Sequence, residues 1–370
     1  MGSVVLNLEV ELARATFIVG MVITAFVYER WRLLTGGTIT GSYLAYLLAF
    51  GHWEDVLMWL LLSWVAVFTI RSVTKRLPLP RSWVMYVAIL VPAILHGVMA
   101  QIGRDLESDL APFLIAGLYV TNGLTGYDLV KQGVRRTLLV IGGVVAATLM
   151  VILPLKYLVL GNSGSGQDTL FTPIPSATII TVLAVAAVLR LVFKLGTAGI
   201  IGAVFLYQVI NPESLLPILM FTVLGTFVYR AVRRYVTLTP RQEMQVILVV
   251  GGIVGWFGLF WAQFFGLSGA ALPYAYALEP LIVIGLMILE GVRIGLPRAL
   301  SGTAISLGAV ALSAWLCQQA LQVFILGHLA IAIVIAVCVA IGWRELRRGF
   351  AAAELAGRTH QIQRYNQRDA

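Results

Sequence analysis

The sequence predicts an all-α protein, a polytopic bundle of transmembrane helices built from two repeats of parallel topology plus one C-terminal span. Three observations predict it. Of 370 residues, 59% are hydrophobic and 12% charged, with a mean hydropathy of +0.91, which is more apolar than a water-soluble chain of this size tolerates. Apolar runs of near-spanning length recur from Ala13 to Ile341, and no polar stretch between them is long enough for a soluble domain. Segments of the first half also reappear, in the same order, in the second.

The first apolar run, Thr16 to Phe26, follows Glu9, Glu11 and Arg14 rather than a basic cluster, and no small-residue cleavage pattern trails it. It reads as a retained helix. Clear spans are expected at 12–30, 55–73, 83–101, 137–157, 174–192, 214–232, 244–264, 302–320 and 322–343. Four segments, near 38–52, 111–127, 196–210 and 279–292, lie at or below the lower limit of about 17 residues for a spanning helix, and most carry internal Gly. Each either crosses as a short or broken helix, or dips in and returns.

Charge chooses between these alternatives, because Lys and Arg concentrate on the cytoplasmic side. If all four segments cross, 23 of the 26 basic residues share one side. They stand at Arg30/Arg32, Arg71–Arg81, Lys131/Arg135/Arg136, Arg190/Lys194, Arg230–Arg241, Arg293/Arg298 and in the tail from Arg344. Only Arg14, Arg104 and Lys156 lie opposite, beside acids such as Glu9, Glu11, Glu54 and Asp55. If the short segments turned back, the bias would largely vanish. The expectation is therefore 13 crossings, with the N-terminus outside and the C-terminus in the cytoplasm. The net charge of +9 then belongs to loops held against anionic lipid rather than to a nucleic-acid site.

The repeat offset is near 160 residues: "GTITGSYLAYLLAF" from Gly37 resembles "GTAGIIGAVFLYQV" from Gly196, and "FTIRSVTK" at Phe68 parallels "FVYRAVRR" at Phe227. "APFLIAGLYVTNG" at Ala111 then parallels "EPLIVIGLMILEG" at Glu279. Six crossings per unit is an even number, so the units have parallel topology about an axis along the membrane normal. The expected organisation is a first repeat over 1–160, a Gly/Ser-rich linker at 161–173, a second repeat over 174–320, a final helix at 321–343 and a basic cytoplasmic tail at 344–370.

Each half resembles the small membrane protein of bacterial poly-γ-glutamate capsule synthesis, the PgsC/CapC type, as two copies fused in tandem. The resemblance rests on "VYER" with "LLTGGTITGSYLAYL" and on "APFLIAGLYVTNGLTGYDLVKQGVRRTLLVIGG" in the first half. In the second it rests on "KLGTAGIIGAVFLYQ" and "EPLIVIGLMILEGVRIGLPRALSGTAI". It implies a multi-pass subunit of the bacterial inner membrane that works beside a Mur-ligase-like, ATP-dependent amide ligase and a further export subunit, and handles an acidic polymer. Glu29 has no acidic counterpart in the second half, where "AVLRLVFK" stands, so the resemblance does not extend to a symmetric role for that acid.

Candidate contacts to partner or polymer are Glu29, Arg30, Arg32, Asp128, Lys131, Arg135 and Arg136, with Arg233, Arg234, Glu290, Arg293 and Arg298 in the second half. Cations here suit an acidic polymer or an acidic protein face; membrane topology also accounts for them, and Glu29 equally suits a salt bridge. Gly36, Gly37 and Gly41, with Gly196, Gly199 and Gly202, either break their helices and free backbone groups, as at functional sites, or allow close helix packing.

Cys317 and Cys338 fall in apolar runs with no CxxC, and His52, His96, His328 and His360 are scattered, so no metal site is expected. No GxxxxGK[ST] loop, Ser-His-Asp set or paired carboxylate site is present, so neither cofactor nor catalysis is assigned to this chain. The tail from Trp343 either docks the ligase or is disordered. The competing reading is an autonomous secondary transporter with parallel repeats, which the scarcity of ionisable residues deep within the spans disfavours.

Overall fold

A computed structural model describes residues 8–76, 84–95, 116–160, 176–191, 212–264 and 279–322. All regular structure among them is helical: α1 (Leu8–Trp31), α2 (Thr40–Ala49), α3 (Trp53–Arg76), α4 (Val84–Leu95), α5 (Ala116–Gln132), α6 (Val134–Leu160), α7 (Ser176–Leu191), α8 (Pro212–Arg233), α9 (Pro240–Phe264), α10 (Glu279–Ile294) and α11 (Leu296–Gln322). The expected linker, the segment near 196–210, the final span and the tail lie outside the described residues. By length and composition, Leu8–Trp31, Trp53–Lys75 and Val134–Leu160 can each cross a membrane, and Val84–Leu95 and Gln242–Gly258 are shorter apolar helices. Large side chains such as Phe26, Phe68, Leu139, Met150 and Leu158 face outward, while Thr24, Thr121, Asn122, Thr148 and Thr222 are buried. Apolar-out, hydroxyl-in is the arrangement a lipid solvent favours.

Lipid gives helices little hydrophobic reason to associate, so contact depends on small residues that let backbones approach. A Cβ at Gly20 of α1 would lie 2.6 Å from Ser42 Oγ on α2, and one at Gly41 would lie 2.5 Å from Val144 on α6. Nine of the ten residues of α2 are buried between these neighbours, with Phe17 and Tyr43 meeting edge to face at 5.7 Å.

Two sets of three helices pack in corresponding ways. In the first, Gly126 of α5 abuts Ala66 of α3 and Gly123 of α5 abuts Ile89 of α4. In the second, Gly225 of α8 abuts Ile288 of α10, and Gly285 of α10 abuts Leu248 of α9. Further contacts join α1 to α6 and α5 to α6 in the first half, and α7 to α11 and α10 to α11 in the second. The halves meet where α1 runs antiparallel to α9, from the Trp256 Nε1–Glu11 hydrogen bond at one end, past Gly252 against Met21, to the Gln242–Glu29 hydrogen bond at the other.

These contacts bring the described basic clusters to one end. Gln132 pairs with Leu34, joining the α5–α6 joint to the end of α1; Gln242 bonds Glu29 and Arg233 pairs with Glu243 at 3.7 Å, joining α8 and α9 to the same place. At the other end, Lys156 Nζ donates to the carbonyl of Ala49 at 2.7 Å. The chain thus passes through α2 from one end to the other instead of doubling back. Thiols introduced as Ser72→Cys and Glu54→Cys are expected to react with a membrane-impermeant reagent from opposite sides; labelling of both from one side would overturn this path.

Candidate functional site

Arg32 closes α1, donating its N–H to the Tyr28 carbonyl at 2.8 Å and taking φ of 56°, and the chain then runs non-helically to Thr40. Gly36 and Gly37 adopt φ of 74° and 98°, in the left-handed region that an L side chain resists. Space excludes a side chain as well: a Cβ on Gly36 would collide with Thr125 Oγ1, and one on Gly37 would lie 2.9 Å from Leu124 Cδ1. Gly36 and Gly37 therefore break the helix, whereas Gly41, inside α2, serves close packing. Gly196, Gly199 and Gly202 lie outside the described residues.

The break frees backbone groups in a setting that excludes water, and α5 supplies partners for them. The Gly36 N–H donates to Asp128 Oδ2 at 3.0 Å, in an interaction enclosed by the protein. Gln132 accepts from the Leu34 N–H at 2.8 Å and donates to the Leu34 carbonyl at 2.9 Å, gripping one residue at both of its polar groups. Thr40 Oγ1 donates to the Gly36 carbonyl at 2.5 Å and Thr35 Oγ1 to that of Gly37 at 2.9 Å. Thr137 donates to the Gly133 carbonyl at 2.9 Å, and Gln132 donates to Thr137 Oγ1 at 3.3 Å, tying the clamp to the start of α6.

The clamp sits at a sharp helical joint. Gly133, with φ of 94°, separates α5 from α6, and Gly295, with φ of 91°, separates α10 from α11. Lys131, Arg135 and Arg136 flank the first joint and Arg293 and Arg298 the second, all exposed. One acid lies five residues before each glycine, Asp128 at 4% exposure and Glu290 at 6%. Both are enclosed by protein, so of the expected contact residues these two face inward.

Glu29 is exposed and holds Arg32 at 3.4 Å, while Gln242 of α9 donates to it. Arg32 also lies over the Tyr28 ring, 5.6 Å from its centre. Arg30 and Arg234 are exposed at the same end, and Arg233 completes a link through Glu243 to the Tyr229 hydroxyl, which donates to Glu243 at 3.0 Å. Sequence reasoning missed Gln132, Gln242 and Gln245 because neutral amides give no charge signal; a Gln immediately before a helix-ending Gly was the available clue. It also missed the depth of Arg14, which is 4% exposed within α1 and paired with Glu11 at 2.7 Å. Among the described residues no cluster of three or more His, Cys, Asp or Glu side chains could hold a metal ion.

A bundle with an apolar outer belt, polar contacts turned inward and a broken helix clamped at its basic end is a helical membrane protein. Residues 19–138 match the family model for capsule biosynthesis CapC, so this part of the chain is similar to the membrane proteins of that family. The match begins inside α1 and ends just beyond Thr137, so it contains both sides of the clamp. No curated protein and no solved structure matches the chain.

Proposed function

We propose that this chain is a non-catalytic integral membrane subunit of a poly-γ-glutamate-like synthase and export complex, in the inner membrane, docking a Mur-ligase-like, ATP-dependent amide ligase at its basic end. The observation that carries the reading is the coincidence of the CapC match with the clamped loop and its basic surroundings. Arg30, Arg32, Lys131, Arg135, Arg136, Arg233, Arg234, Arg293 and Arg298 form the docking and polymer-facing set, since multiple exposed cations at one end favour an acidic partner. Asp128 and Glu290 act from within, holding backbone and helices in place. The tail from Arg344 adds to the docking surface.

The chain is, in the same proposal, two fused copies of one unit. Support comes from contacts that recur at nearly constant spacing: Ala66 and Ile89 of the first half correspond to Gly225 and Leu248 at 159 residues, and Gly123 and Gly126 to Gly285 and Ile288 at 162. At each close approach at least one partner is small: Gly123 and Gly285 meet Ile89 and Leu248, while Gly126 meets Ala66 where Ile288 meets Gly225. The spacing of 162 also pairs Asp128 with Glu290, Lys131 with Arg293, Gly133 with Gly295 and Arg136 with Arg298. It aligns the two joints with each other, which the larger spacing from Ala111 to Glu279 does not.

Deleting the gene is expected to abolish the cell-surface polymer, and complementation with the chain truncated after Gly349 is expected to restore insertion but reduce ligase copurification. Unchanged polymer in the deletion strain would overturn the synthase reading; full ligase copurification with the truncated chain would remove the tail from the docking surface.

A further inference from the structure

An outward-facing strip leads down from each basic joint. On α6, Gly142, Gly143 and Ala146 are exposed between Leu139 and Met150, below Arg135 and Arg136. On α11, Ala304 and Gly308 are exposed between Ser301 and Leu312, below Arg298. At the spacing of 162, Gly142 corresponds to Ala304 and Ala146 to Gly308, so each strip carries two small residues one turn apart. A glycine inside a helix is unfavourable unless the space it leaves is used. Gly123 and Gly126 use it for close contact with α4 and α3, whereas a Cβ at Gly142, Gly143 or Gly308 would meet nothing within 4 Å. Each strip is therefore a shallow open groove.

Exposed cations stand at the head of both grooves, Lys131, Arg135 and Arg136 at the first and Arg293 and Arg298 at the second. None of these side chains has an ion-pair partner among the described residues, although at the same end Arg32 pairs with Glu29 and Arg233 with Glu243. Membrane topology asks only that cations lie on this side; it does not ask that they stand over a groove. The end of α3 shows the difference. Arg71 and Lys75 are exposed there too, but Trp64 and Phe68 project below them at 45% and 74% exposure, and α3 contains no glycine.

From Arg136 to Ala146 the helix rises about 15 Å, which is about half the hydrocarbon thickness of a bilayer, the depth of one leaflet. Charge selects the occupant. A second copy of the chain in the same membrane orientation would set one basic joint against another, and like charges oppose that contact. An acidic soluble protein could reach the cations but not the groove beneath them. An anionic head joined to an apolar chain satisfies both. We propose that each joint binds one anionic phospholipid, with its phosphate among Lys131, Arg135 and Arg136, or between Arg293 and Arg298, and an acyl chain along the small residues below. This assignment does not depend on the synthase reading.

The test titrates the full chain in detergent with phosphatidylglycerol or with phosphatidylcholine of the same acyl chains, and counts retained lipids by native mass spectrometry. The unsubstituted chain is expected to retain two phosphatidylglycerols, and to bind phosphatidylcholine about tenfold more weakly. Lys131→Gln/Arg135→Gln/Arg136→Gln should lose one of the two, and Arg293→Gln/Arg298→Gln the other. Gly142→Leu/Ala146→Leu keeps every cation but fills the first groove, and should weaken binding at that joint about tenfold. Arg71→Gln/Lys75→Gln, which removes cations that stand over no groove, should leave both lipids in place. All these side chains point outward, so the variants should melt like the unsubstituted chain, and the α11 pair judges the second joint even if an α6 variant does not. Equal retention of the two lipids, equal loss in the Arg71/Lys75 variant, or unchanged binding once the groove is filled would overturn the proposal. Full displacement by glycerol phosphate would assign the cations to a free phosphate instead, and loss of a dimer on filling the groove would assign the strip to a second copy; either result also overturns it.

Discussion

Asp128→Leu is expected to destabilise the folded protein by about 2 kcal/mol, because it leaves the Gly36 N–H buried with no acceptor. Water would satisfy that group in a soluble protein's loop; in this bundle the loop is enclosed between α5 and α6, and the penalty stands. Asp128→Asn keeps an acceptor oxygen at the same position and is expected to recover most of the loss. Gln132→Leu should add a similar deficit, since it removes both bonds to Leu34. Because the two residues grip one loop, the double variant should lose less than the sum of the single losses. Thermal unfolding in detergent provides the measurement, and an Asp128→Leu protein that melts like the unsubstituted chain would show that the clamp contributes nothing.

The second large effect is expected at Gly36. Gly36→Val forces a β-branched side chain into the left-handed region and drives its Cβ into Thr125, so the combined conformational and overpacking cost is about 3 kcal/mol or more. Gly36→Ala should cost less. Pairing Gly36→Ala with Thr125→Gly should return part of the loss by opening space, but not the part due to φ, and that separation tests which cause dominates. Equal melting temperatures for Gly36→Ala with and without Thr125→Gly would show that the clash is absent. Both Gly36 variants should also lower polymer output if the loop belongs to the working site.

The broken loop was partly legible in the sequence. Three glycines between a basic step and an apolar run announced either a break or close packing, and both are present: Gly36 and Gly37 break, Gly41 packs. Their division between the two roles was not legible, because φ is set by where the chain must go next. Glu29 similarly offered a salt bridge or an outward contact. The structure records the first, with Arg32, and adds a link across to Gln242 that no local pattern announces.

Composition and hydropathy determined by themselves that this is a helical membrane protein, because an apolar solvent allows backbone groups few other ways to pair. The positions of Lys and Arg predicted that the basic clusters at Arg30/Arg32, Lys131–Arg136 and Arg230–Arg234 share an end, since that bias acts on charge and needs no knowledge of packing. Only the tertiary structure decided that Asp128 faces inward, that Gln132 grips Leu34, and that α1 and α9 join the two halves. Those facts depend on partners 92, 98 and 213 residues apart in the chain. The side chains involved are short or neutral, so nothing in their local sequence distinguishes a buried hydrogen bond from a solvated one until the helices are placed side by side.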